Sequence, residues 1–322
     1  MLYALAHPNY QPRAFMRYST RTTNKEILKI LAAASAAALL NFVPIQSRAQ
    51  PAAEPAPVPL ELAIPRPSAA EVERANRSLK KFLGTADPAT KAIVKKYPDL
   101  ISVRPPRSNT AIVPFLAPEF RAKHNANVEL AKKGDIDVLF MGDSITDFWR
   151  NSSGNMAGRP VFDKYFGGMK VANFGISGDT TQGVLYRLRN GEGQGFKPKA
   201  IMLMIGSNNT GLNSAPEIVE GIGAVILEMR KDFPDAKILL LGILPFSTPD
   251  NPVRATIAEI NKSIAKLHDG KHVFYLDIGA KFMNPDGSIP REVMSDAVHP
   301  TTKGYTIWAE AVKEPLAKLL KN

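Results

Sequence analysis

Cysteine is missing from all 322 residues. Its absence excludes disulfides, thiolate-bound metals and a lipid-modified cysteine, so the fold must be held by its own buried apolar side chains. The sequence also lacks the Lys-Ser/Thr ending of a phosphate-binding loop, the glycine spacing of a dinucleotide fingerprint and the Gly-x-Ser-x-Gly elbow of α/β-hydrolases. No His/Asp/Glu group has ligand spacing, and no metal site is expected. The early apolar run, Ile30 to Phe42, meets Asn41 and then Pro44. It falls short of the roughly 20 residues that a membrane span takes.

What surrounds that run gives it a meaning. Arg13, Arg17, Arg21, Lys25 and Lys29 precede it, and Ser47-Arg48-Ala49 follows. A basic segment, a short apolar segment and small residues in that order describe a secretory signal peptide. Residues 1–49 are therefore expected to be removed after Ala49, leaving a secreted or periplasmic protein without a stable membrane span. Initiation at Met16 in place of Met1 would give a shorter leader of the same kind. Beyond residue 49 the chain carries 35 basic against 29 acidic residues. So modest an excess reads as a solvated surface, and no nucleic-acid partner is expected.

Residues 50–67 are rich in proline and alanine and are expected to be an extended linker. Ser68 to Lys96 has a helical pattern, with Ser68 and Glu71 spaced as a capping box and Val72, Ala75, Leu79 and Phe82 on one stripe. It opens a helical extension over 68–118 that either packs on the main domain or contacts a partner. The main domain is expected over 119–322.

From Asp135 onward short apolar runs alternate with amphipathic segments. The runs are Asp137 to Met141, Lys170 to Phe174, Ala200 to Ile205, Lys237 to Ile243 and His272 to Ile278. The helical patterns lie at Thr181–Arg189, Ala215–Phe233, Val253–Leu267 and Thr302–Leu320. Strands apolar on both faces, alternating with helices, predict a three-layer α/β/α sandwich around a five-stranded parallel sheet. Ligands of such sheets sit beyond the carboxyl ends of the strands.

The residues at those ends carry the candidate chemistry. The first run ends in Gly142-Asp143-Ser144, where Ser144 is either a nucleophile at the mouth of the sheet or a plain helix cap. The second ends in Gly175-Ile176-Ser177-Gly178-Asp179, whose Gly178 N–H is a candidate anion donor. Asn208 follows the third run; its amide either donates to an oxyanion or serves the turn. Asp296 and His299 stand three residues apart before the last helix and can supply a base and the group that holds it. His124, His268 and His272 are expected at the surface. Phe148, Trp149 and Phe246 follow strands one and four and are either pocket walls or core.

Together, Gly-Asp-Ser-Ile-Thr at 142–146, Asn-x-Gly-x-x-Gly-Asp at 173–179, Gly-x-Asn at 206–208 and Asp-x-x-His at 296–299 resemble the SGNH hydrolase superfamily, the GDSL-like lipases and acylhydrolases. The likeness runs from about Asn125 to the C-terminus. It is strongest to the branch of the platelet-activating-factor acetylhydrolase Ib catalytic subunits, through Asn173–Asp179, Arg187–Glu192, Leu239–Pro245 and Lys303–Ala309. The third block has Ser207 where threonine is usual.

The resemblance implies a flavodoxin-like fold and a serine esterase that needs no cofactor. By motif position it assigns the catalytic residues to Ser144, Asp296 and His299 and the oxyanion hole to Ser144, Gly178 and Asn208. Asp143, Trp149 and Phe246 are the candidate substrate contacts. An exported protein points away from an intracellular lipid and towards short acyl, chiefly acetyl, esters of carbohydrates. A lipase or lysophospholipase-like activity is the alternative, and a binding module without catalysis is the non-enzymatic one. Oligomeric state is open.

Overall fold

A computed structural model describes residues 53–97 and 108–321. The expected leader and its cleavage site lie outside the described residues. Five short apolar runs form β1 (Val138–Gly142), β2 (Val171–Asn173), β3 (Ala200–Met204), β4 (Lys237–Leu241) and β5 (Val273–Leu276). They make one parallel sheet in the order β2-β1-β3-β4-β5. Every residue of β1 and β3 is buried, because helices cover both faces of the sheet.

Side chains alternate across a strand, so the two faces build two cores. Leu139, Met141, Ile201, Leu203, Ile238 and Leu240 point to one, together with apolar residues of the helices Thr181–Arg187, Ala215–Asp232 and Val253–Ile264. Phe140, Met202, Leu239 and Leu241 point to the other, beneath Trp149, Tyr305 and Trp308. The expected α/β/α sandwich with its five-stranded parallel sheet is the observed fold.

Strand order reverses at β1, which has β2 on one side and β3 on the other. A crevice opens at such a reversal beyond the carboxyl ends of the two central strands. The turn after β1 brings Ser144 to it, and the turn after β3 brings Asn208.

Three features differ from the sequence pattern. The helix expected over Ser68–Lys96 is two helices, α1 (Ala69–Thr85) and α2 (Pro88–Lys96). Pro88 has no N–H to continue the first, and the Asp87 side chain caps the second by accepting from Thr90 N–H at 3.0 Å. Helices at Arg121–Lys132 and Arg159–Phe166 have no counterpart among the segments singled out by apolar periodicity.

The third concerns the proline-rich stretch, expected as a linker with no fold of its own. From residue 53 on it is extended apart from one 3-10 turn at Leu60–Leu62, yet it is seated on the helix Ala215–Asp232. Ala56 and Leu62 are buried, and the Ala56 N–H donates to Ile112 O at 2.7 Å. A side chain at Gly223 would strike Pro59 and Leu62, so this glycine makes the seat. Glu220 on the same helix accepts from Ile64 N–H at 2.7 Å and from both terminal nitrogens of Arg66 at 2.7 and 2.5 Å. Burial works against the charge of Glu220, but these bonds and one from Asn109 hold its pKa below the usual range. Composition alone does not show such a tether, because it depends on one distant carboxylate.

Candidate active site

Ser144 begins a single helical turn, Ser144–Asp147, directly after β1. Its position follows from Gly142: a Cβ there would lie 2.3 Å from both Met204 O and Thr146 Oγ1. Only glycine lets the chain fold back this closely against β3. The last helix, Thr302–Lys321, is preceded by the loop that carries Asp296 and His299. That loop brings His299 Nε2 to 2.8 Å from Ser144 Oγ, across 155 positions of sequence.

On the far side of the ring, His299 Nδ1 and Asp296 Oδ2 are 2.6 Å apart. The other carboxylate oxygen accepts from the N–H groups of His299 at 2.7 Å and Val298 at 3.0 Å. This tight wrap puts Ala297 at φ 62°, a strained value for a residue with a side chain. The Ser247 N–H steadies it by donating to Ala297 O at 2.9 Å. Burial disfavours the Asp296 charge, but the bonds from His299 and the two N–H groups outweigh it and lower its pKa. A carboxylate held ionised against one ring nitrogen leaves the other free to take the serine proton.

On the opposite side of Ser144 lies the loop after β2. Gly178 is exposed with φ 86°, a conformation that glycine adopts without strain. Among the described residues, neither its N–H nor that of Ser144 donates to another group. Asn208 Nδ2 donates to Asp179 O at 2.8 Å, which fixes the amide and leaves its second N–H to offer. Asn208 is thereby tied to the residue after Gly178, and Ser177 before it is tied to Asp147 of the Ser144 turn. The structure joins Ser144, His299 and Asp296 in one hydrogen-bonded line and links Asn208 to the Gly178 loop through Asp179.

Two of the expected substrate contacts are corrected. Trp149 is core: it is 1% exposed and packs between Phe140, Phe166, Tyr305 and Trp308. Its neighbour Phe148 is the one beside the site, with its ring 4.9 Å from that of His299. Asp143 is fully buried, so it does not meet a substrate. Its Oδ1 accepts from Ile145 N–H at 3.0 Å, while Oδ2 has no hydrogen-bond partner and the Ser207 hydroxyl beside it makes no well-formed bond. Burial, seconded by the charge of Asp179, raises its pKa to about 7. Phe246 is half-buried against the core on the Ile243 side. Among the described residues no His/Asp/Glu group could hold a metal ion.

The model of the GDSL-like Lipase/Acylhydrolase family matches residues 140–307, the stretch that holds Ser144, Gly178, Asn208, Asp296 and His299. The chain belongs to this family. Acyl hydrolysis is the chemistry that goes with membership. Among its relatives, the platelet-activating factor acetylhydrolase IB subunit alpha2 of Gallus gallus is 34% identical over 67% of this chain and 93% of its own length. The Homo sapiens protein of the same name is 35% identical with the same coverage. A solved Streptococcus pneumonia structure named for platelet activating factor shares the fold, with TM-score 0.51 and 22% identity over 62% of this chain and 92% of its own.

This GDSL-family site rests on residues to which motif reading gave no role. Asp147, one turn after Ser144, accepts from Ser177 N–H at 3.0 Å and Ser177 Oγ at 2.7 Å, and also binds Lys123 and Arg150. It ties the nucleophile turn to the Gly178 loop. Deeper, Arg187 bonds Asp179 through Nε at 2.9 Å and Nη2 at 2.7 Å, reaches Phe174 O at 3.0 Å and pairs with Glu192. Glu192 in turn meets His124 Nδ1 at 2.8 Å, so His124 is buried and not at the surface as expected. Phe120 sits over the exposed face of Gly178, its Cζ 3.1 Å from where a Cβ would stand. Helix spacing carries no sign of these partners, since each is supplied by a different element.

Proposed function

We propose that this chain is a serine esterase that removes short acyl groups, chiefly acetyl, from hydroxyl groups of carbohydrates. The observation that carries the reading is the continuous line of hydrogen bonds from Ser144 Oγ to His299 Nε2 (2.8 Å) and from His299 Nδ1 to Asp296 (2.6 Å). The Ser144 oxygen adds to the ester carbonyl carbon while its proton passes to His299 Nε2. The oxyanion accepts from the N–H groups of Ser144 and Gly178 and the free N–H of Asn208, each donor contributing about 3–4 kcal/mol to the barrier decrease. Collapse of this intermediate breaks the ester C–O bond, and the departing alcohol takes the proton from Nε2. Water then adds to the acyl-Ser144 with the same base, and the free acid leaves.

Two observations support a short acyl group on a sugar. Relatives 34–35% identical over almost their whole length are named acetylhydrolases. Phe148 beside His299 and Phe120 over Gly178 offer aromatic faces on which the apolar face of a sugar ring can lie. The leader expected at residues 1–49 would carry the enzyme to where such polysaccharides are found.

A fluorophosphonate probe should label the wild type and not Ser144→Ala. An unlabelled wild type, or labelling that survives the substitution, sinks the serine mechanism and leaves a binding role. Acetate release should be measured on acetylated polysaccharides beside phospholipids. Faster turnover of p-nitrophenyl decanoate than of the acetate would move the substrate to longer lipid esters.

A further inference from the structure

The helices α1 and α2 carry an apolar stripe that the rest of the described chain covers at the start of α1 and leaves open at Phe82, Ile93 and Tyr97. In α1, Val72, Ala75, Leu79, Phe82 and Leu83 recur at helical spacing, while Arg74, Arg77 and Lys81 line the opposite face. Val72, at the start, is buried, but Phe82 is 57% exposed and, in α2 and its cap, Ile93 is 59% and Tyr97 45% exposed. Hydrolase chemistry makes no use of them.

Charge says what such a stripe meets. Residues 69–97 hold seven Lys/Arg against three Asp/Glu, whereas the 108–322 segment holds 25 against 23. The exposed apolar residues stand next to lysines, in Lys80-Lys81-Phe82-Leu83 and Ile93-Val94-Lys95-Lys96-Tyr97. A helix with one aromatic and aliphatic face and one Lys/Arg face lies in the headgroup region of a bilayer and is drawn there by anionic lipid. No described helix is long and apolar enough to cross a membrane.

We propose that α1 and α2 are a membrane-surface anchor that places the hydrolase on anionic bilayers, with Phe82, Ile93 and Tyr97 entering the headgroup layer. The anchor is tied to the hydrolase where the Arg66–Glu220 pair and Val72 hold the start of α1. The proposal does not depend on which ester is cleaved.

The absence of cysteine gives a direct test. In the full chain, Ile93→Cys and, separately, Phe82→Cys take an environment-sensitive fluorophore at a single position. Emission should shift to the blue on adding vesicles of phosphatidylcholine with phosphatidylglycerol. It should stay unchanged with phosphatidylcholine alone, or when about 1 M salt screens the charges. Adding Lys80→Glu and Lys81→Glu should lower the partition coefficient about tenfold or more, with hydrolysis of a soluble ester unchanged. No shift with any vesicle overturns the proposal and returns the stripe to a protein partner. Sedimentation with vesicles without a shift also overturns it, because the contact then lies elsewhere in the chain.

Discussion

Ser144 is flanked by two charged groupings built in opposite ways. On one side Asp296 and His299 are partly open to solvent, with side-chain exposures of 41% and 23%. On the other, Arg187, Asp179 and Glu192 are closed off entirely. The first pair shares one short loop; the second set is gathered from a helix, the turn beyond it and the loop after β2. An imidazole that must gain and lose a proton in each turnover needs water and room near it. Ions that only hold a loop in place work best where nothing competes for them, at the cost of large penalties if one partner is lost.

This contrast can be broken at either end. His299→Ala should cost the most activity, lowering kcat about 10^4-fold or more, yet change stability by less than about 1 kcal/mol since the ring is near the surface. Assays with a soluble ester and urea unfolding would report the two numbers; a stability loss of several kcal/mol would show the loop to be structural. Arg187→Met should reverse the pattern. It strands two carboxylates in the core and should cost about 3–5 kcal/mol in urea unfolding. Activity should fall through loss of the Gly178 loop, and a change under about 1 kcal/mol would refute its role as the keystone of that side.

The effect that appears only as pH changes belongs to Asp143, between the two. Its carboxyl keeps a proton in the fold up to about pH 7, while in the unfolded chain it ionises near pH 4, at about 3.9. Between those values the folded state holds a proton that the unfolded state has released, so this group lowers stability as pH rises from about 4 to about 7 and no further above. Asp143→Asn removes the titration. Its melting temperature should therefore gain on the wild type across that window, and a constant difference from pH 4 to pH 8 would show that the carboxyl is ionised throughout.

Much of this was readable in order along the chain. All five strand runs contain an observed strand, and the helices begin at Thr181, Ala215, Val253 and Thr302, where the periodicity places them. The ends are less legible. The helix from Thr181 stops at Arg187 because the chain turns through Gly191 at φ 114°, so that Arg187 and Glu192 can meet. Trp149 shows the limit of position as a guide. It follows the nucleophile turn as closely as Phe148 does, but the turn directs one ring into the core and the other to His299.

The sheet, the crossover helices and the five residues at strand ends and in one loop can be read along the chain, since each is encoded by neighbours within a few positions. Tertiary structure decided what those residues became. Ser144 is an N-terminal helix residue until a loop 155 positions away sets an imidazole against it. Asn208 is a turn residue until Asp179 O orients its amide. The buried ions that hold the Gly178 loop, and the proline-rich stretch seated on Glu220, depend on pairing charges from distant elements in a low-dielectric interior, and no local pattern records such pairings.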